Sequence, residues 1–306
     1  MPINYTTLMD LRIDYAFKLL FTKGDPLLLI SLLNSIFANK KIPRIIKTLT
    51  IKNPYLEKES EIDKLSILDI RAELEDNTTV LIEMHMYGLG ELKAKTIRSW
   101  ARAYGEELEP GDSYTEQPPT ITIAFTNGAI PMDDTPNADN QSQDKIHRLC
   151  MIMDCEDHTI FTNAMELHYI DMKAFATAVN ETNSIETIST TEEAKFTKWL
   201  SLITQKEITN KAIIETACKE EEEISMAVTA LAMQSEDKIT RQAYQRRKDE
   251  IYFYKKNMSD LATYKRRAKN AETQLATQKN QLATQKSQLA EKDALIAKLQ
   301  AQLKDK

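Results

Sequence analysis

The sequence predicts a mixed α/β fold: a central sheet flanked by helices, then a helical C-terminal region and a heptad-repeat tail. Three observations predict it. Residues 66–87 form two runs of alternating apolar and polar side chains about a polar turn, the pattern of a β-hairpin. Residues 10–37, 91–108 and the chain from 190 onward repeat apolar side chains at helical spacing. Leu275, Leu282, Leu289, Ile296 and Leu303 recur every seven residues, the coiled-coil period.

The chain has 306 residues, enough for one sizeable domain with appendages. Only 6 Gly and 9 Pro favour helix over loop. The net charge of −6 removes bulk attraction to nucleic acid, so such binding needs local basic patches. The N-terminal MPINYTT lacks the basic and apolar regions of a signal peptide, and the apolar run at 27–33 is too short to span a bilayer. Three cysteines without framework spacing fit a reducing compartment, so a cytoplasmic location is expected.

The first element expected is a helix over 10–21, with Asp14 near its start. The second runs over 25–37, where Asp25-Pro26 is an N-cap followed by proline at the first helical position. Residues 44–51 read as the first strand, followed by a polar loop. In the hairpin, Ile70, Ala72 and Leu74 share a face, and Asp69, Arg71 and Glu73 lie on the other. On the return strand Ile82, Met84 and Met86 share a face, opposite Glu83 and His85. A turn at Asp76-Asn77 then sets Asp69 across from Glu83 or His85.

Residues 91–108 predict a helix with a buried stripe of Leu92, Thr96, Trp100, Tyr104 and Leu108. Lys95, Arg98 and Arg102 form a second, basic stripe; its bland reading is a solvated face with ion pairs to Glu91 and Glu106. Strands are expected at 120–126, 146–153 and 166–172. His147, Cys150, Cys155 and His158 invite comparison with a zinc site but lack its paired spacing. Helices follow at 195–203 and 212–232, the latter interrupted by the solvated run Glu220 to Glu223. Residues 241–264 mix bases and aromatics and read as an amphipathic helix with tyrosines packed inward. In the tail, near-identical heptads start at 274, 281 and 288; with the leucines at d, position a holds Lys279, Lys286 and Asp293, a poor seam. The expected divisions are 1–185, 186–265 and 266–306, with 271–303 the segment for homo-oligomerisation.

Two carboxylates on neighbouring strands suit a hard divalent cation, which takes oxygen ligands and relieves the repulsion between the acids. Without a cation they are two solvated strand acids. An Asp on one strand and Glu-x-(Lys or Gln) on the next, followed by a helix, resembles the PD-(D/E)XK nuclease core. More narrowly, the chain resembles the Rpn family of recombination-promoting nucleases, also described as PD-(D/E)XK family transposases. The matching residues include Asp14-Tyr-Ala-Phe17-Lys18, Leu68-Asp69, Ile82-Glu83-Met84, Arg98, Arg102 and Tyr104. They continue with Gly111-Asp-Ser-Tyr114, Ile170-Asp-Met-Lys173, Lys198-Trp199-Leu200 and Tyr244-Gln-Arg-Arg247-Lys248. His85 departs from the pattern, standing where the family has Gln and the wider group Lys.

The resemblance implies a restriction-endonuclease-like core and metal-dependent cutting of DNA in recombination. It assigns Asp69 and Glu83 to Mg²⁺ or Mn²⁺ and His85 to the water or phosphate. Asp14 becomes a further acid, and Arg98 and Arg102 become phosphate contacts. The rival reading is a catalytically inactive nuclease-fold protein, oligomerised by its tail, with His85 the mark of lost activity.

Overall fold

The computed structural model describes residues 4–38, 40, 42–52, 70–87, 89–108, 111, 113–130, 145–188 and 193–304. They fall into two compact units, Met1–Lys248 and Asp249–Lys306. In the first, helices α1 (Asp14–Lys23) and α2 (Pro26–Phe37) precede strands β1 (Leu49–Lys52), β2 (Ile70–Leu74) and β3 (Thr79–His85). Helix α3 (Leu92–Gly105), strands β4 (Thr120–Thr126), β5 (His147–Met153) and β6 (Ile160–Asp171), and helix α4 (Met172–Thr182) follow. Helices α5 (Ala194–Ile203), α6 (Ala212–Glu220) and α7 (Glu222–Glu236) lead to α8 (Lys238–Lys304).

The described strands form one sheet in the order β1-β2-β3-β4-β6-β5. The centre, β3-β4-β6, is parallel; β1, β2 and β5 are antiparallel to their neighbours. This is the mixed, helix-flanked sheet expected. The hairpin register pairs Ile70 with Ile82 and Glu73 with Thr79. Asn77 takes a left-handed φ of 63° and Asp76 accepts from Thr78 N at 3.0 Å, the chemistry that favours Asn and Asp in turns.

One face of the sheet carries the main core. Ile70, Ala72, Val80, Ile82, Ile121, Ile123, Phe125 and Ile170 pack there with side chains of α1, α2 and α4–α7. The Asp25 side chain accepts from Leu27 N at 2.9 Å, and the apolar stripe of α2 is buried as its spacing requires. Trp199 of α5 is fully buried and donates from its indole to the Ser31 hydroxyl at 3.1 Å.

Several boundaries moved for tertiary reasons. Helix α1 starts at Asp14, because Asp10 turns its carboxylate onto the Arg12 backbone and guanidinium. The first strand shrinks to four residues. Arg44 is instead drawn to the fully buried Glu166 of β6, and Ile46 is fixed by Asn34, which both donates to and accepts from its backbone. Glu220, Glu221 and Glu223 do not form a merely solvated run: they pair with Lys195 and Lys198 of α5. The chain breaks between α6 and α7 at Glu221.

The second unit is helical. Tyr252, Phe253 and Tyr264 are 63%, 60% and 67% exposed, so they are not packed inward as expected. The unit contains a single helix, with no other described element to cover those rings. Among the described residues no helix is long and apolar enough to cross a membrane.

A polar cluster lies within the main core. His147 Nε2 and His168 Nδ1 are 3.0 Å apart, and Glu166 Oε2 lies 3.5 Å from His168 Nε2. The arrangement fits one tautomer set: His147 Nε2–H donates to His168, and His168 directs its Nε2–H toward Glu166. Among the described residues His147 Nδ1 then has no partner. Burial pushes both imidazoles below their ordinary value; charge on His168 or Lys40 acts in the same direction on His147, while Glu166 opposes the shift at His168. The unfolded chain takes up these protons near pH ~6.5, and the folded chain resists them. Stability therefore falls as pH drops from about 7.5 to 5.5, and the urea midpoint over that window measures it. The His147→Gln variant, which keeps a donor toward His168, should show a shallower fall; an unchanged fall would mean the imidazole pair is not its source.

Candidate active site

The other face of the sheet is covered by α3. Leu81 of β3 packs on Ala103, and Leu92 of α3 packs with Ala124 and Tyr169. Trp100 stacks on Tyr104, with ring centroids 5.0 Å apart, and donates to the carbonyls of Thr120 and Ala164 at 3.0 and 3.3 Å. Those two bonds tie the helix across β4 and β6.

Period-two alternation puts Leu81, Glu83 and His85 on this covered face. Register places Glu83 beside Ala124 and, one strand further, Tyr169; His85 lies beside Thr126 and then Asp171. Both acidic-site candidates from β3 thus sit at the carboxyl end of a parallel strand, where loops leave the sheet and ligands of open α/β sheets bind. The loops after β3 and β4 meet there. Gly128 has φ 146°, and a side chain on it would press on Leu89 at 3.1 Å, so this approach requires glycine.

Glu83 is buried, 6% exposed, and His85 is half-buried beside it. His85 Nε2 lies 2.6 Å from Glu83 Oε2. Glu83 Oε1 is also buried and, among the described residues, has no hydrogen-bond partner. A carboxylate oxygen so placed carries a cost unless a cation or proton meets it. Burial pushes the Tyr169 hydroxyl up to about 12, and the negative charge of Glu83 adds to that shift. When ionised, a carboxylate offers only acceptors, and one in this buried position could hold a hard cation. Among the described residues no group of three His, Cys, Asp or Glu side chains is placed to hold a metal.

Residues 11–262 match the family described as PD-(D/E)XK nuclease family transposase. The chain belongs to that family. No curated protein and no solved structure matches the chain. The six-stranded mixed sheet, with Glu83 near the end of a central strand, agrees with a PD-(D/E)XK nuclease-like fold.

The other sequence candidates divide. Asp69 lies outside the described residues; its chain neighbour Ile70 pairs with Ile82, the neighbour of Glu83. Asp14 is engaged by the Arg247 guanidinium, whose Nε lies 2.9 and 2.8 Å from its two oxygens. Arg102 pairs with Glu106 at 3.1 Å, and Lys95 with Glu91 at 3.4 Å, the helix-surface pairs of the bland reading. Arg98 is exposed. The pleat turns His147 to the main core and Cys150 to the α3 side, while Cys155 and His158 are exposed on the following turn. Sequence reasoning missed the direct Glu83–His85 contact, although their i, i+2 spacing on one strand was its signal.

Proposed function

We propose that this nuclease-family chain is a metal-dependent endonuclease that hydrolyses phosphodiester bonds of DNA. Asp69 and Glu83 would hold Mg²⁺ or Mn²⁺, with the Met84 carbonyl a further oxygen donor. The observation that carries the reading is the bare, buried Oε1 of Glu83, beside an Oε2 already held by His85. Such a cation, when bound, supplies Lewis acidity to the phosphate and acidifies a water.

The residues supply the rest. An ionised Glu83 accepts the Nε2–H of His85, which leaves the imidazole lone pair on Nδ1. A neutral ring of that tautomer accepts a proton from an attacking water and later returns it to the leaving oxygen. His85 would thus serve where relatives of the wider group place Lys or Gln, and would also fix the rotamer of Glu83. Arg98 remains an exposed cation on α3 for a phosphate. Three free cysteines fit a cytoplasmic setting.

Plasmid cutting, with Mg²⁺ or EDTA, tests the assignment. Asp69→Ala and Glu83→Gln should each abolish EDTA-sensitive cutting, and His85→Ala should slow it by roughly 10²-fold. Full cutting by Glu83→Gln would reject the site.

We also propose that residues 271–303 pair copies of the chain. Leu275, Leu282, Leu289 and Ile296 are each more than half exposed along one stripe of α8. In sedimentation, the wild type should be larger than a Leu282→Glu/Leu289→Glu variant. Equal masses would remove this reading.

A further inference from the structure

Within the first unit, two segments bring cations together: the turn after α5 and the opening turns of α8. Lys206 donates from its ammonium to the carbonyls of Tyr5 and Thr6 at 3.2 and 3.0 Å. Lys211 donates to the carbonyls of Gln205 and, at 2.6 Å, Ile208. Arg241 donates one N–H to the Ser235 carbonyl at 3.2 Å and is otherwise exposed, as is Lys248. Arg241, Tyr244 and Lys248 fall at i, i+3 and i+7, on one face of α8. Tyr244 locks that face to the N-terminal segment, its hydroxyl accepting from Asp10 N at 3.1 Å.

The acids facing the cluster are outnumbered. Asp10 acts on Lys206 and Glu207 on Lys211, but both carboxylates are also ion-paired with Arg12. Among the described residues none of Lys206, Lys211, Arg241 and Lys248 makes an ion pair. Burial lowers the affinity of Lys206 for a proton; the charge of Asp10 opposes that shift, and the positive charges of Lys211, Lys248 and Arg241 add to it. In a chain of net charge −6, these four groups make a local patch of the opposite sign, suited to a polyanion.

We propose that Lys206, Lys211, Arg241 and Lys248 form a docking surface for the phosphodiester backbone of nucleic acid. The surface is made of elements other than β3 and α3. Each ammonium has three donors, and the carbonyls use two on Lys206 and two on Lys211. One donor on each is left for a phosphate oxygen, with the chain already fixed. Arg241 and Lys248 extend the surface along the helix, so it fits successive phosphates better than a single one. It carries no base-reading group and should grip without regard to sequence. The choice of polyanion rests on the nuclease reading; the surface itself does not.

The test is fluorescence anisotropy of a short labelled duplex with the full chain in EDTA, which prevents cutting, over a series of salt concentrations. The exposed pair Arg241→Gln/Lys248→Gln should reduce the slope of log affinity against log salt by about 2. The control Lys23→Gln/Lys219→Gln, exposed elsewhere, should leave the slope unchanged. Equal slopes in wild type and Arg241→Gln/Lys248→Gln overturn the proposal. So does wild-type binding to anionic vesicles but not to the duplex. Glu83→Gln separates the two readings: it should bind the duplex like wild type, and if it still cuts, only the catalytic assignment falls.

Discussion

An ionised carboxylate taken out of water must be met on both of its oxygens, and Glu83 is met on one. His85 holds Oε2, while Oε1 is buried without a partner among the described residues. Leaving a buried charged acceptor unsatisfied costs more than the ~1–3 kcal/mol typical of a neutral group. Such an oxygen at the end of a central strand adds nothing to stability, which is what favours the proposed ligand role. The rest of the first unit is arranged around that position. β2 and β4 flank β3, α3 closes the face above it, and the Trp100 bonds fix the helix to β4 and β6.

The opposite face shows what the fold does with a buried acid when stability is the aim. Glu166 is as deeply buried as any side chain of the core, yet Arg44 reaches one oxygen and His168 approaches the other. Phe37 and Phe196 pack their rings beside the imidazoles. Two carboxylates thus lie near the sheet's parallel centre, one matched by a guanidinium and one not. Breaking a buried pair such as Arg44–Glu166 costs about 3–5 kcal/mol, which marks it as structural. Among the described residues no guanidinium meets Glu83, and that contrast supports the proposed role of Glu83 as a ligand.

Much of this was legible in the residues. Alternation in the hairpin gave the buried set Ile70, Ala72, Leu74 and Ile82, and it set Glu83 and His85 on one face. Asp25-Pro26 gave the start of α2, and Asn77 the left-handed turn. These are local signals, carried by period or by backbone preference. What failed was tertiary. Nothing in the sequence around Arg44 says that it leaves the strand for Glu166, which lies over a hundred positions away. The pairing of Glu221 with Lys198, and the engagement of Asp14 by Arg247, depend on helices meeting in space. The tyrosines of residues 249–264 carry the same pattern as a packed helix, but their unit holds no other described element to receive them.

The central claim is that Glu83 grips a cation through the oxygen left bare. Anomalous scattering from crystals grown with Mn²⁺ tests it most directly. The account predicts a peak about 2.1 Å from Glu83 Oε1, shared with a carboxylate oxygen of Asp69. Ordered crystals with full Mn²⁺ exposure and no peak at Glu83, or a peak held by other side chains, would contradict it.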